Sequence, residues 1–100
     1  MKVMMRTILK VVPGKMAEYM ELEEKRKSMA SGLGMPPEKV YNCLSGDSAH
    51  TIVYEMEWDS LAALEASFEK MFASPERQAM MAKYDALIVS HENELYTPMP

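Results

Sequence analysis

The sequence predicts an α+β domain in which a four-stranded antiparallel sheet carries its helices on one face. Three observations carry that reading. KVMMRTILKVV (residues 2–12) and HTIVYEMEW (50–58) alternate side chains at a period of two, as strands do. The stretches after each of them switch to steps of three and four. A short GDSA loop joins KVYNCLS (39–45) to the second alternating run, which is a hairpin signal. The resulting order is βαββαβ, the split-βαβ arrangement, with its second helix broken at Ser74-Pro75.

In the first strand Val3, Met5, Thr7, Leu9 and Val11 share one face, and Met4, Arg6, Ile8 and Lys10 the other. Pro13-Gly14 ends it as a turn. A helix follows from Lys15 to about Leu33, with Met16, Tyr19, Met20, Met29, Ala30 and Leu33 as its apolar stripe. ELEEKRK between them reads as a solvated face, with Glu21–Lys25 and Glu23–Lys27 as i,i+4 pairs. Gly32 and Gly34 suit the helix end, and Pro36-Pro37 prevents its resumption.

His50, Ile52, Tyr54, Met56 and Trp58 lie on one face of the third strand. Asp59 or Ser60 caps the next helix, whose stripe is Leu61, Leu64, Phe68 and Met71. Ser74 can accept from an early helical N–H, Pro75 suits the first helical position, and Glu76 favours the positive helix end. The pair therefore restarts a helix with a bend, and Met80, Tyr84, Leu87 and Ile88 give the new segment its own stripe. ENELYT before Pro98 reads as a terminal edge strand.

One hundred residues, 48% hydrophobic and 26% charged, read as one domain spanning residues 1–100. A net charge of −4 with mixed signs argues against nucleic-acid binding. No apolar run approaches the roughly 20 residues of a membrane span, and Arg6 and Lys10 interrupt any signal-peptide core, so the expected compartment is the cytoplasm. A single cysteine, Cys43, leaves no intramolecular disulfide and reads as a small hydrophobe on a strand. Twelve methionines suit an adaptable core or binding surface, and their helical spacing favours core over copper ligation. No metal site and no cofactor are expected.

The face opposite the helices carries Met4, Ile8, Val12 and Val53 beside Arg6 and Lys10, which are expected to oppose Glu55 and Glu57. A half-apolar face in so short a chain calls for a second copy as its cover, so a homodimer is expected. Beneath the helices, His50, Tyr54, Trp58, Met71, Phe72 and Tyr84 are the candidate lining of a small-molecule pocket. The same residues at the same spacing also describe a filled core. His50 and Tyr54 are the candidates for handling a proton, with no positioned partner visible for either. His91 reads as a cap on helical carbonyls.

VVPGKMAEYM after the first strand, EMEWDSLAALEASFEKMFASPE, and the terminal ELYTP resemble the dimeric α+β barrel superfamily, and within it NIPSNAP-like and antibiotic-biosynthesis-monooxygenase-like domains. The resemblance covers nearly the whole chain and implies ferredoxin-like subunits paired through their sheets, with any ligand between sheet and helices. It implies functions ranging from cofactor-free oxidation or isomerisation to plain ligand binding. The haem-degrading pattern of the superfamily is absent, since Met71, Met81 and Thr7 stand where a Trp, a His and an Asn are required. Two readings stand: a binder of an apolar small molecule acting as a cofactor-independent monooxygenase or isomerase, and a non-catalytic binding or assembly module with a filled core.

Overall fold

The structure, a computed structural model, describes residues 1–30 and 34–100. The elements are β1 (Val3–Val11), α1 (Met16–Ala30), β2 (Lys39–Asn42), β3 (Thr51–Trp58), α2 (Leu61–Ala73), α3 (Pro75–Asp85) and β4 (Ile88–Tyr96). The four strands form one antiparallel sheet in the order β2-β3-β1-β4, the ferredoxin-like topology. Among the described residues no helix is long and apolar enough to cross a membrane. The expected end of α1 at Gly32 and Leu33 lies outside the described residues.

Alternation decides which strand face is dry. Val3, Leu9 and Val11 of β1 and Ile52, Tyr54 and Trp58 of β3 are buried on the helix side. The chain leaves β1 through a type II turn, in which Lys15 N–H donates to the Val12 carbonyl at 3.0 Å and Gly14 takes φ 82. A side chain is strained at that φ, so the Pro13-Gly14 order sets how α1 folds back onto the sheet.

The Ser74-Pro75 break takes the form the residues predict. Ser60 caps α2 by accepting from Ala63 N–H at 3.1 Å, and Ser74 caps α3 by accepting from Arg77 N–H at 3.3 Å with Pro75 in the first turn. Each such cap contributes about 1 kcal/mol. The bend lets α3 pack against both α1 and α2.

The core has two parts. One gathers Leu9, Val11, Tyr19, Leu22, Ile52, Tyr54, Met80 and Leu87, all buried. The other holds Val3, Trp58 and Leu64, with Met5, Met35, Met56, Ala63 and Phe68 only partly covered around them.

Several local expectations are corrected. β2 stops at Asn42, which leaves Cys43 beyond the strand with its thiol donating to the Ser45 carbonyl at 2.9 Å. α3 ends at Asp85, so Leu87 lies in the turn and Ile88 opens β4. No glycine or asparagine marks that stop; it is made by backbone bonds from Leu87 N–H to the Tyr84 carbonyl and from Val12 N–H to the Leu87 carbonyl, both 2.8 Å. β4 is accordingly nine residues long, and His91 sits opposite Leu9 within it rather than at a helix end. Met20 faces solvent, 45% exposed, while Leu22 and Glu23 turn inward.

Opposite the helices, Arg6 pairs with Glu55 as expected, Nη2 to Oε2 at 2.9 Å. Glu57 instead takes Lys2 at 3.3 Å, and Lys10 takes Asp47 of the hairpin loop at 3.6 Å. The chain measures 40 × 34 × 18 Å with a radius of gyration of 14.1 Å. A compact chain of this length has about 13 Å. The excess reflects a flat two-layer body with one bare sheet face.

Candidate functional site

The most distinctive chemistry lies inside the run that reads as a solvated face. Tyr19, Leu22, Glu23 and Arg26 fall at i, i+3, i+4 and i+7 of α1, which is one helix face, and that face turns to the sheet. Glu23 is 3% exposed. Burying a carboxylate is tolerable only when charge and hydrogen bonds replace its water, and here they converge from three elements, α1, β3 and α3.

Arg26 Nε donates to Glu23 Oε2 at 2.5 Å and Nη2 to Oε1 at 3.0 Å, a two-point grip. Nη2 also donates to Glu38 Oε1 at 2.7 Å, from the segment before β2. Tyr84 of α3 donates to Glu23 Oε2 at 2.5 Å, and Tyr19 of α1 to Oε1 at 3.2 Å. The Tyr54 hydroxyl on β3 donates to the same Oε1 and lies within hydrogen-bond distance of the Tyr19 hydroxyl. Arg26 also stands over the Tyr54 ring, 5.7 Å from its centroid.

The charge states follow from this geometry. Burial alone would raise the Glu23 pKa, but the Arg26 hydrogen bonds and charge, with the Tyr54 and Tyr84 hydroxyls, hold it down at about 2. Burial first, and donation to Glu23 second, push the Tyr54 and Tyr84 hydroxyls well above the usual phenol range. Tyr19 moves the same way, chiefly through burial. The network therefore holds one carboxylate ionised and its phenols protonated.

The expected pocket residues are distributed around this cluster. Tyr54 and Tyr84 meet on Glu23. Trp58 lies further along the same face of β3, 5% exposed, its indole N–H donating to Ser67 Oγ at 3.0 Å. Phe68 stacks between Trp58 and Phe72, with centroids 6.0 and 6.1 Å away. Phe72 is 54% exposed, and Met71 is half-buried beside it in α2. His50 stands apart in the turn before β3, its Nδ1 2.8 Å from Asp47 Oδ1. Four residues along the strand separate it from Tyr54, about 13 Å. Sequence reasoning missed Glu23, Arg26 and Glu38, and only the inward 19-22-23-26 spacing marked the first two.

Between α1 and the end of α3 lies an open cleft of about 400 Å³, with Glu18, Glu21, Lys25 and Lys83 over Leu22 and Leu87. Its alternating charges suit water rather than an apolar guest. Among the described residues, no three His, Cys, Asp or Glu side chains gather to hold a metal ion.

The family model for NIPSNAP matches residues 5–100, nearly the whole chain. The chain belongs to the NIPSNAP family. Solved structures agree with the fold. This NIPSNAP protein is similar to a NIPSNAP family protein from Agrobacterium tumefaciens str. C58 at 22% identity, over 98% of this chain and 86% of that one, with a TM-score of 0.83. It is similar to an uncharacterised NIPSNAP domain protein from Burkholderia xenovorans at 20% identity, covering 99% and 95%, TM-score 0.83. It is also similar to SnoaB, a cofactor-independent oxygenase from Streptomyces nogalater, at 16% identity, covering 99% and 94%, TM-score 0.71. At such identities the likeness shows fold alone. No curated protein gives a significant match.

Proposed function

We propose that this NIPSNAP protein binds an apolar small molecule on the helix-facing side of β3, between Tyr54 and Trp58. One observation carries the reading. Around Trp58, Met5, Met35, Met56 and Phe68 are packed on one side and open on the other, an apolar strip that the helices leave half-covered. Thioethers beside aromatic rings adapt to a guest's shape. Tyr54 to Trp58 spans about 13 Å, the length of a two- or three-ring molecule.

The chemistry that this reading adds is cofactor-independent oxygenation, supported by likeness of fold to SnoaB. In it Tyr54 anchors rather than abstracts a proton, because its hydroxyl is committed to Glu23. His50, held by Asp47 about 13 Å along the strand from Tyr54, is outside hydrogen-bond reach of a guest at Trp58, so this reading gives it no proton to move. The same commitment of three phenols to one carboxylate favours a second reading, a binder that performs no reaction.

Trp58 is the single tryptophan and lies in the strip, so it reports occupancy directly. Titration with 2-naphthamide is expected to change its fluorescence saturably, and Met56→Glu to abolish that change while the chain stays folded. Unchanged fluorescence in the wild type, or unchanged binding in the variant, would overturn the reading.

The partner in this reading is a second copy, seated on the bare sheet face. Met4, Ile8 and Val53 lie there half-exposed among the Arg6–Glu55 and Lys2–Glu57 pairs, with Tyr41 and Tyr96 at its margins. Apolar side chains mixed with satisfied ion pairs suit a self-complementary two-fold interface. Sedimentation equilibrium is expected to give a dimer for the wild type. Ile8→Glu should weaken association about a hundredfold, since it buries an unpaired carboxylate against its own copy. A wild-type monomer at high concentration would refute the pairing.

A further inference from the structure

Arg26 and Arg77 equal Glu23 and Glu38 in number, but only Arg26 is joined to them by hydrogen bonds. Arg26 serves two carboxylates, Glu23 and Glu38. A second guanidinium, Arg77 in the first turn of α3, enters the same neighbourhood and interacts electrostatically with Arg26, Tyr84, Glu23 and Glu38. Among the described residues no carboxylate lies within ion-pair distance of it. Its Nε is buried with no hydrogen-bond partner. Burial, then the like charge of Arg26, depress its pKa. A buried guanidinium N–H without an acceptor is costly, and its natural complement is a planar oxyanion. Arg77 is half-buried as a whole, so part of the side chain is open to a guest while its Nε is covered.

Connectivity ties this group to the apolar strip. Glu38, which holds Arg26, follows Met35 of the strip by three residues, and Tyr54 shares the strand face of Met56 and Trp58. A molecule lying along β3 with its apolar body at Trp58 points its far end to Tyr54, over whose ring Arg26 stands with Arg77 in its electrostatic neighbourhood.

We propose that Arg77 recognises a carboxylate on the bound molecule, so that the ligand class is an apolar or aromatic monocarboxylate. This rests on the binding site proposed above. A monoanion fits better than a phosphate dianion, because Glu23 and Glu38 stand nearby and Arg77 alone is uncommitted.

The test compares 2-naphthoate with the isosteric neutral 2-naphthamide by calorimetric titration of the full chain. Wild type, Arg77→Gln and Arg77→Lys are used, with circular dichroism to establish folding. Wild type is expected to bind naphthoate about tenfold more tightly than the amide. Arg77→Gln should erase that preference by bringing naphthoate affinity down to about that of the amide, and Arg77→Lys should keep part of it. In 15N spectra of the wild type, the Arg77 Nε–H resonance should move further with naphthoate than with the amide, whose carbonyl accepts without a charge, and equal shifts would overturn the assignment even if the variants fail to fold. Inorganic phosphate at matched ionic strength should not displace naphthoate; displacement would overturn the monocarboxylate class. If the amide binds and naphthoate binds no better, or the preference survives Arg77→Gln, the assignment of Arg77 fails and the apolar site stands. If neither compound binds, the site itself fails and the carboxylate assignment with it.

Discussion

Glu23→Ala is expected to destabilise the fold by about 3–5 kcal/mol, read from the urea midpoint at neutral pH. The carboxylate is the common acceptor for Arg26 and for the hydroxyls of Tyr19, Tyr54 and Tyr84. Its removal leaves a guanidinium that is mostly buried holding only Glu38, and takes the acceptor from three phenols, of which only Tyr19 and Tyr54 can turn to each other. Domains of this size are stable by only about 5–15 kcal/mol, so the variant should populate unfolded chain measurably at room temperature. Glu23→Ala with Arg26→Met should recover part of the loss, because an uncompensated buried charge costs more than an apolar replacement of the pair. A single-variant loss below about 1 kcal/mol would show that water already shares the carboxylate.

Acid should dismantle the same cluster in a defined window. The Glu23 pKa is lowered from 4.5 to about 2 on folding, so the unfolded chain binds its proton first as pH falls. The stabilisation is therefore full above about pH 4.5 and is lost as pH descends toward 2. A shift of that size corresponds to about 3 kcal/mol. Asp47 is shifted in the same direction, chiefly by its hydrogen bond with His50, so total acid sensitivity does not isolate Glu23. The difference between wild type and Glu23→Gln does isolate it. That difference should be constant from pH 7 to 5 and shrink between 4.5 and 2.5. A difference that stayed level through the interval would mean that Glu23 is not held ionised by its neighbours.

Much of the architecture was legible in the sequence because short-range rules decide it. Alternation at Val3, Leu9 and Val11 and at Ile52, Tyr54 and Trp58 named the dry sheet face, and Ser74-Pro75 announced a capped restart. The Arg6–Glu55 pairing followed from strand adjacency. The Glu23 cluster was not legible in the same way. ELEEKRK satisfies the pattern of a solvated helix face, and what draws Glu23 and Arg26 inward is the arrival of Glu38, Tyr54 and Tyr84 from distant parts of the chain. The boundary between α3 and β4 was obscured for a related reason. Leu87 and Ile88 fit a helical stripe as well as they fit a turn and strand, and the long-range bond from Val12 N–H to the Leu87 carbonyl selects the second. Arg77 gave no signal, since its environment is assembled entirely by tertiary packing.

The strand order has a consequence for biosynthesis. β1, made before the other three strands, occupies the interior of the sheet between β3 and β4, and Thr7 meets Asn93 across 86 positions of sequence. Among the described strands only β2 and β3 pair through neighbouring sequence. Val3–Val11, apolar on one face, must therefore wait for partners translated later, and pairings so distant in sequence slow folding for a chain of this length.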